Sequence, residues 1–254
     1  MNIIRKIKPF KLTISQKYHE FTKIKDVIKD IPVEKWPETW KRVYFKGYPR
    51  FEAIKLPEPK LPNNLSFKEV LYKRQSARNF SKEALSMQEL SNLLFFAGGI
   101  RAKNETWTSN RFYPSAGARY PLEIYPIIFN IDGIKPGIYH YYLKSHLLEA
   151  LRKNQKYKEL SLKWFGNHWA KESNLLLAIS AVFFRAKVKY GERGYRHVLT
   201  ELGCLIQNIY LTSTALNLGC CPTGGYNDDG YNSLLDLDGV EESIIGVVAI
   251  GRKR

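Results

Sequence analysis

Residues 196–217 constrain this chain more than any other stretch. Leu199, Leu202, Ile206, Ile209, Ser213 and Leu216 recur at intervals of three and four, the period of one face of an α-helix. The spacing predicts a long helix closed by Gly219. Such a helix must bury its apolar face against other elements, and strand-like runs supply them. LEIYPIIF (122–129) and GIYHYY (137–142) flank an Asp132–Gly133 turn, with further runs at 174–184 and at SIIGVVAIG (243–251). Pro126 has no N–H to donate, so the first run is expected to be an edge strand or to carry a bulge. Ser66 with Glu69, and Ser86 with Glu89, have capping-box spacing. They predict one helix to about Arg74 and another carrying Leu90, Leu93, Leu94 and Ala97 to Gly98 and Gly99, with a third helix near 155–165. The sum is an α+β fold around one central mixed, mainly antiparallel sheet flanked by helices.

The chain has 254 residues, 44% of them apolar, enough for one sizeable core. Residues 1–60 stand apart: WPETWKRVYFKGYPRF and the prolines of LPEPKLPNN favour an extended arm or cap, with the main domain at 61–254. The longest apolar run, Leu175 to Phe184, is broken by Ser180 and stops at Arg185, short of the ~18 residues of a membrane span. The N-terminus has no signal-like apolar stretch, so a cytoplasmic protein away from membranes is expected. Cys204, Cys220 and Cys221 have no metal-site spacing, and no metal is expected. The net charge of +16, from 40 basic and 24 acidic residues, raises the question of nucleic acid. The lysines are dispersed and no recognition motif is present, so an anionic cofactor or peptide explains the charge better.

Four segments carry candidate chemistry. Arg74, Ser76 and Arg78 present two guanidiniums and a hydroxyl suited to an anion or a polar heterocycle edge; an exposed basic helix end has the same look. Pro114-Ser115-Ala116-Gly117-Ala118-Arg119 has the small residues that let backbone approach a planar ligand, or is a plain loop before a strand. Lys189 and Tyr190 are adjacent proton carriers before a helix, or part of a solvated basic turn. Gly224 and Gly225 after the long helix free backbone N–H groups for a ligand, and Arg252 lies just beyond the last strand.

Taken together, PSAGARYPLEIY, KYGERGYR, the long helix with its Gln207-Asn208, PTGGYND and the final Gly251-Arg252 resemble the nitroreductase family, in particular its SagB/ThcOx-type azoline dehydrogenases, from about Leu71 to Arg252. The resemblance implies an FMN cofactor and a homodimer with sites shared across the interface. It implies that Arg74, Ser76, Arg78 and Arg252 hold the FMN phosphate, ribityl chain and ring edge, and that Pro114, Ser115, Ala116 and Gly117 reach the partner's flavin. Gly224 and Gly225 would lie near flavin N5, and Lys189 with Tyr190 would be the catalytic pair. The implied activity is FMN-dependent oxidation of thiazoline or oxazoline rings to azoles in a ribosomally made peptide, beside a cyclodehydratase. An NAD(P)H-dependent nitro- or quinone-reductase, and a non-catalytic scaffold subunit, are the alternatives.

Overall fold

A computed structural model describes residues 12–25, 31–42, 45–61, 66–103 and 109–254. The first eleven residues of the expected arm, and Pro62 of its proline run, lie outside the described residues. In chain order the elements are α1 (Ile14–Phe21), α2 (Glu38–Lys41), β1 (Ala53–Lys55), α3 (Phe67–Lys73), α4 (Met87–Gly98), β2 (Ile100–Lys103), β3 (Ser109–Arg111), β4 (Leu122–Ile128), β5 (Gly137–Tyr142), β6 (Leu147–Lys153), α5 (Lys156–Phe165), β7 (Leu175–Val182), α6 (Phe184–Tyr190), α7 (Gly194–Ala215), β8 (Leu218–Thr223), α8 (Asp228–Leu235) and β9 (Glu242–Arg252).

Seven strands form one sheet in the order β1-β6-β5-β4-β7-β9-β8, and every ladder between them is antiparallel. The three interior strands with continuous apolar runs bury both faces. Along β7, Leu175, Leu177, Ile179 and Ala181 enter the core beneath α4 and α7, while Leu176 and Ala178 enter the opposite core beneath α5 and α8. The same alternation runs through β4 and β9, with Ile124 and Val248 on one side and Tyr125 and Val247 on the other. Helices therefore cover both sheet faces, and the fold is the expected α+β arrangement.

Both capping boxes form, with Ser66 and Ser86 each accepting from the glutamate N–H three residues on. Two expectations are corrected. Pro126 lies in an interior strand, not an edge: β4 pairs with β7 over its whole length, but its ladder to β5 holds only Ile127 and Ile128. At Pro126 no ladder bond to β5 is needed, so the missing donor costs nothing on that side. The long helix ends at Leu216, and Gly219 lies inside β8. The buried stripe of α7 is also rotated from the one read in sequence. Val198, Glu201, Leu205 and Ile209 face the core, and Leu199 is 44% exposed.

Candidate active site

After α3 the chain turns extended and lies along β8. Ser76 bridges Cys220 in parallel, and the Ala77 N–H donates to the Cys220 carbonyl at 3.0 Å. A Cβ on Gly219 would sit 2.9 Å from the Ala77 methyl, so glycine there lets the two segments touch. Extended backbone puts alternate side chains on one side, and Arg74, Ser76 and Arg78 form a ledge. The Arg74 guanidinium lies 5.1 Å from the centre of the Tyr210 ring, the Ser76 and Tyr210 hydroxyls are 2.7 Å apart, and Arg78 stands 5.9 Å from the Trp169 ring. Ser76 and Arg78 are exposed and Arg74 is half-buried.

Gly224 and Gly225 follow β8 toward the same neighbourhood. Asn167, two residues before Trp169, donates to the Thr223 hydroxyl at 3.0 Å, and that hydroxyl also accepts from the Gly225 N–H at 3.1 Å. The space where a Gly224 side chain would project is open. Arg252 does not join the ledge. Its guanidinium donates to both carboxylate oxygens of Glu89, at 3.0 and 2.9 Å, and sits 3.5 Å from Glu83. Glu89 is the α4 capping acid, so Arg252 ties the last strand to that helix start.

The second cluster gathers around the 114–119 turn. Gly117 adopts φ +58°, and a Cβ there would lie 2.5 Å from the Tyr190 hydroxyl and 3.1 Å from Lys189 Nζ. Only glycine admits both the backbone conformation and this approach. Lys189 and Tyr190 close the C-terminal end of α6, a helix the sequence reading did not assign. The Tyr190 ring packs 4.7 Å from that of His197, in the first turns of α7. Trp36 and Trp40 of the 1–60 segment lie on α6, with Trp40 Nε1 donating to the Val188 carbonyl at 3.0 Å.

Behind the turn sits a residue that the sequence reading passed over. Glu201 accepts from the Ser115 hydroxyl at 2.5 Å, and that hydroxyl accepts from the Tyr120 N–H at 2.8 Å. Burial pushes the Glu201 carboxyl up to about 7, outweighing Ser115, Arg111 and Arg185. Its other oxygen, with Nε and Nη2 of Arg111, has no hydrogen-bond partner among the described residues. The signal was an acid in the core-facing stripe of α7. Further into the sheet, Glu123 of the LEIY string meets Arg185 at 2.5 Å and His140 at 3.2 Å. Burial alone would raise Glu123, but Arg185 and His140 hold it at about 2.

The two clusters border one helix at different heights. Glu201 and Tyr210 are nine residues apart on α7, roughly 14 Å. Two clefts of about 670 Å³ each lie along α5 and on α1. A cleft of about 540 Å³ lined by Lys73, Gln75, Thr214 and Lys253 flanks the ledge.

An antiparallel sheet covered on both faces, with a basic ledge beside β8 and a glycine turn against a Lys-Tyr pair, is the architecture of a nitroreductase-type fold. The nitroreductase family model matches residues 71–252. MJ1384 of Methanocaldococcus jannaschii, named as a nitroreductase, is 32% identical over 198 residues, covering 77% of this chain and 96% of that relative. The chain belongs to the nitroreductase family. The microcin B17-processing protein McbC of Escherichia coli is 26% identical over 219 residues, 80% of this chain and 79% of McbC. The solved E. coli microcin synthetase McbBCD complex with truncated pro-MccB17 bound superposes with a TM-score of 0.62 at 23% identity, over 94% of this chain and 86% of that one. A crystal structure of a protein from Anabaena variabilis described as a nitroreductase gives 0.74 at 24% identity; it covers 94% of this chain, which spans only 47% of that longer one. Among the described residues no helix is long and apolar enough to cross a membrane, and no group of three or more His, Cys, Asp or Glu could hold a metal.

Proposed function

We propose that this chain is an FMN-dependent dehydrogenase that oxidises thiazoline or oxazoline rings to azoles in a ribosomally made peptide. The observation that carries the reading is the packing of Lys189 Nζ and the Tyr190 hydroxyl against Gly117. It supports the reading of Lys189 and Tyr190 as proton-handling groups beside a turn that, by the family resemblance, would approach a flavin. The similarity to McbC, a microcin-processing protein, supports a peptide substrate; work beside a cyclodehydratase follows from the family resemblance.

The residues present fit FMN. The ledge offers exposed cationic and hydroxyl groups for a phosphate and a polyol, and Gly224 leaves open space beside it. In this reading Arg74, Ser76 and Arg78 hold the phosphate, ribityl chain and ring edge, and Gly224 and Gly225 approach N5. The separation of ledge and turn along α7 supports a homodimer in which Pro114, Ser115, Ala116 and Gly117 of one copy complete the ledge of the other. Arg252, already paired with Glu89 and Glu83, would reach a phosphate only by giving up those partners. FMN supplies the hydride acceptor. Lys189 Nζ takes the proton from the ring carbon, and the Tyr190 hydroxyl donates to the ring nitrogen. Residues 1–60 act as an arm on the 61–254 flavin domain, in the cytoplasm.

One experiment tests cofactor and assembly together. The purified protein is expected to be yellow and to scatter light as twice 29.5 kDa. Arg78→Ala should weaken FMN binding by ~2 kcal/mol through loss of a charge-assisted contact. Failure to reconstitute with FMN, or a flavin-loaded monomer, would contradict this reading.

A further inference from the structure

Arg74 and Ser76 stand on the ledge, where free side chains would each sample several rotamers, and ordering them on a ligand would weaken binding. Two rigid elements limit that freedom from opposite sides. On one side the extended segment is pinned to β8 through the Ser76–Cys220 bridge and the Ala77 N–H. On the other stands Tyr210, near the C-terminal end of α7. Its neighbours fix that turn of helix: Ile209 is fully buried, and Asn208 donates to the carbonyls of Ala97 and Phe112 at 3.3 and 3.0 Å. Tyr210 is half-buried and reaches both ledge residues, Arg74 with its ring and Ser76 with its hydroxyl.

What these contacts leave open decides their meaning. The Ser76 and Tyr210 hydroxyls are 2.7 Å apart, and either can donate. Whichever does, the acceptor's own proton remains, so the pair always offers one O–H to a third group. The Arg74 guanidinium lies over the Tyr210 ring, 5.1 Å from its centre. A ring face holds a guanidinium without accepting its in-plane N–H groups, so the donors along its edge stay available. Among the described residues neither Arg74 nor Arg78 donates from its guanidinium to a protein acceptor, whereas Arg119, Arg185 and Arg252 all do. Tyr210 therefore presets two donors and uses up neither.

We infer that Tyr210 is a positioning residue for FMN: it presents the Ser76–Tyr210 hydroxyl pair and the edge of Arg74 together, so that the cofactor's phosphate and polyol meet donors already in place. This deepens the proposed FMN reading and rests on it. The gain in affinity comes from rotamer freedom that is already restricted before the ligand arrives.

The test is a double-mutant cycle read by FMN binding, not by turnover. Full-length protein freed of flavin is titrated with FMN, and quenching of flavin fluorescence gives the affinity. Tyr210→Phe keeps the ring beside Arg74 and removes only the hydroxyl; it should weaken FMN binding about 3–10-fold. Tyr210→Leu removes ring and hydroxyl and should weaken it by about two- to fivefold more. In a Ser76→Ala background Tyr210→Phe should lose most of its effect, because its hydroxyl then has no partner to hold. A tyrosine that merely supports α7 would give the same loss in both backgrounds and lower thermal stability alongside it. Wild-type affinity or tighter binding in Tyr210→Phe would overturn the proposal, as would a loss that survives in full without Ser76. Should Tyr210→Leu lose its native circular dichroism, the Phe variant and the cycle decide by the same criterion. A wild-type protein that takes up no FMN would end the functional reading itself, and this proposal with it.

Discussion

At the scale of single residues, Glu201 makes the sharpest statement about pH. Its carboxyl sits at about 7, raised from 4.5 because burial penalises the charged form more than its hydroxyl and guanidinium neighbours favour it. A raised carboxyl contributes its full stability below the unfolded pKa and loses it as pH climbs through the folded value. The window here runs from about 4.5 to about 7. Glu201→Gln is neutral throughout. Measured by denaturant titration at pH 5 and pH 8, the stability difference between variant and wild type should shift in the variant's favour by on the order of 3 kcal/mol. A difference that stays flat with pH would show that Glu201 ionises freely in the fold. The sequence offered little warning of this residue, because a glutamate in a helix is ordinarily a surface group and only the stripe of Val198, Leu205 and Ile209 around it marks it as buried. Lys189 and Tyr190 were legible through their resemblance to a family pair; their packing on Gly117 and under Trp36 was not, since those contacts join residues some 70 and 150 positions away.

At the scale of elements, local signals carried furthest where they were chemical. Both capping boxes placed their helix starts to the residue, and the GIYHYY strand was bounded correctly by its turn glycine. Periodicity alone did less well. The stripe read on α7 mixed residues that pack on the core, among them Leu202 and Ile206, with the exposed Leu199, because the helix packs on one side against the sheet and α4 and leaves the other side outward. No strand was read at β8, since Cys220, Cys221 and Pro222 resemble none until β9 pairs with them. The α6 segment went unread as a helix because its seven residues, FRAKVKY, are too few for a helical period to show. The 114–119 turn yields a direct test of element packing. Gly117→Ala forces a side chain into φ +58° and into the Tyr190 hydroxyl. It should destabilise the fold by ~1–3 kcal/mol, and it should reduce turnover on an azoline peptide more than it reduces FMN content. A variant with wild-type stability would mean that the turn rearranges freely.

At the scale of the whole molecule, the sheet, covered on both faces, holds two chemical surfaces at different heights of one helix, and the proposed activity asks them to meet across a pair of chains. The fold was readable from the interior strands, whose unbroken apolar runs have no other use in a chain of this size. The proposed homodimer rests on the family resemblance alone, because no single-chain pattern encodes which exposed apolar face finds a copy of itself. The central claim is the reaction, and it is tested most directly by incubating FMN-loaded protein with a thiazoline-containing peptide in air and following its mass. The expected result is loss of two hydrogens per ring, slowed about 10²–10⁴-fold by Lys189→Ala with FMN retained. A peptide left unchanged by a flavin-loaded enzyme that instead reduces nitroaromatics with NAD(P)H would contradict it.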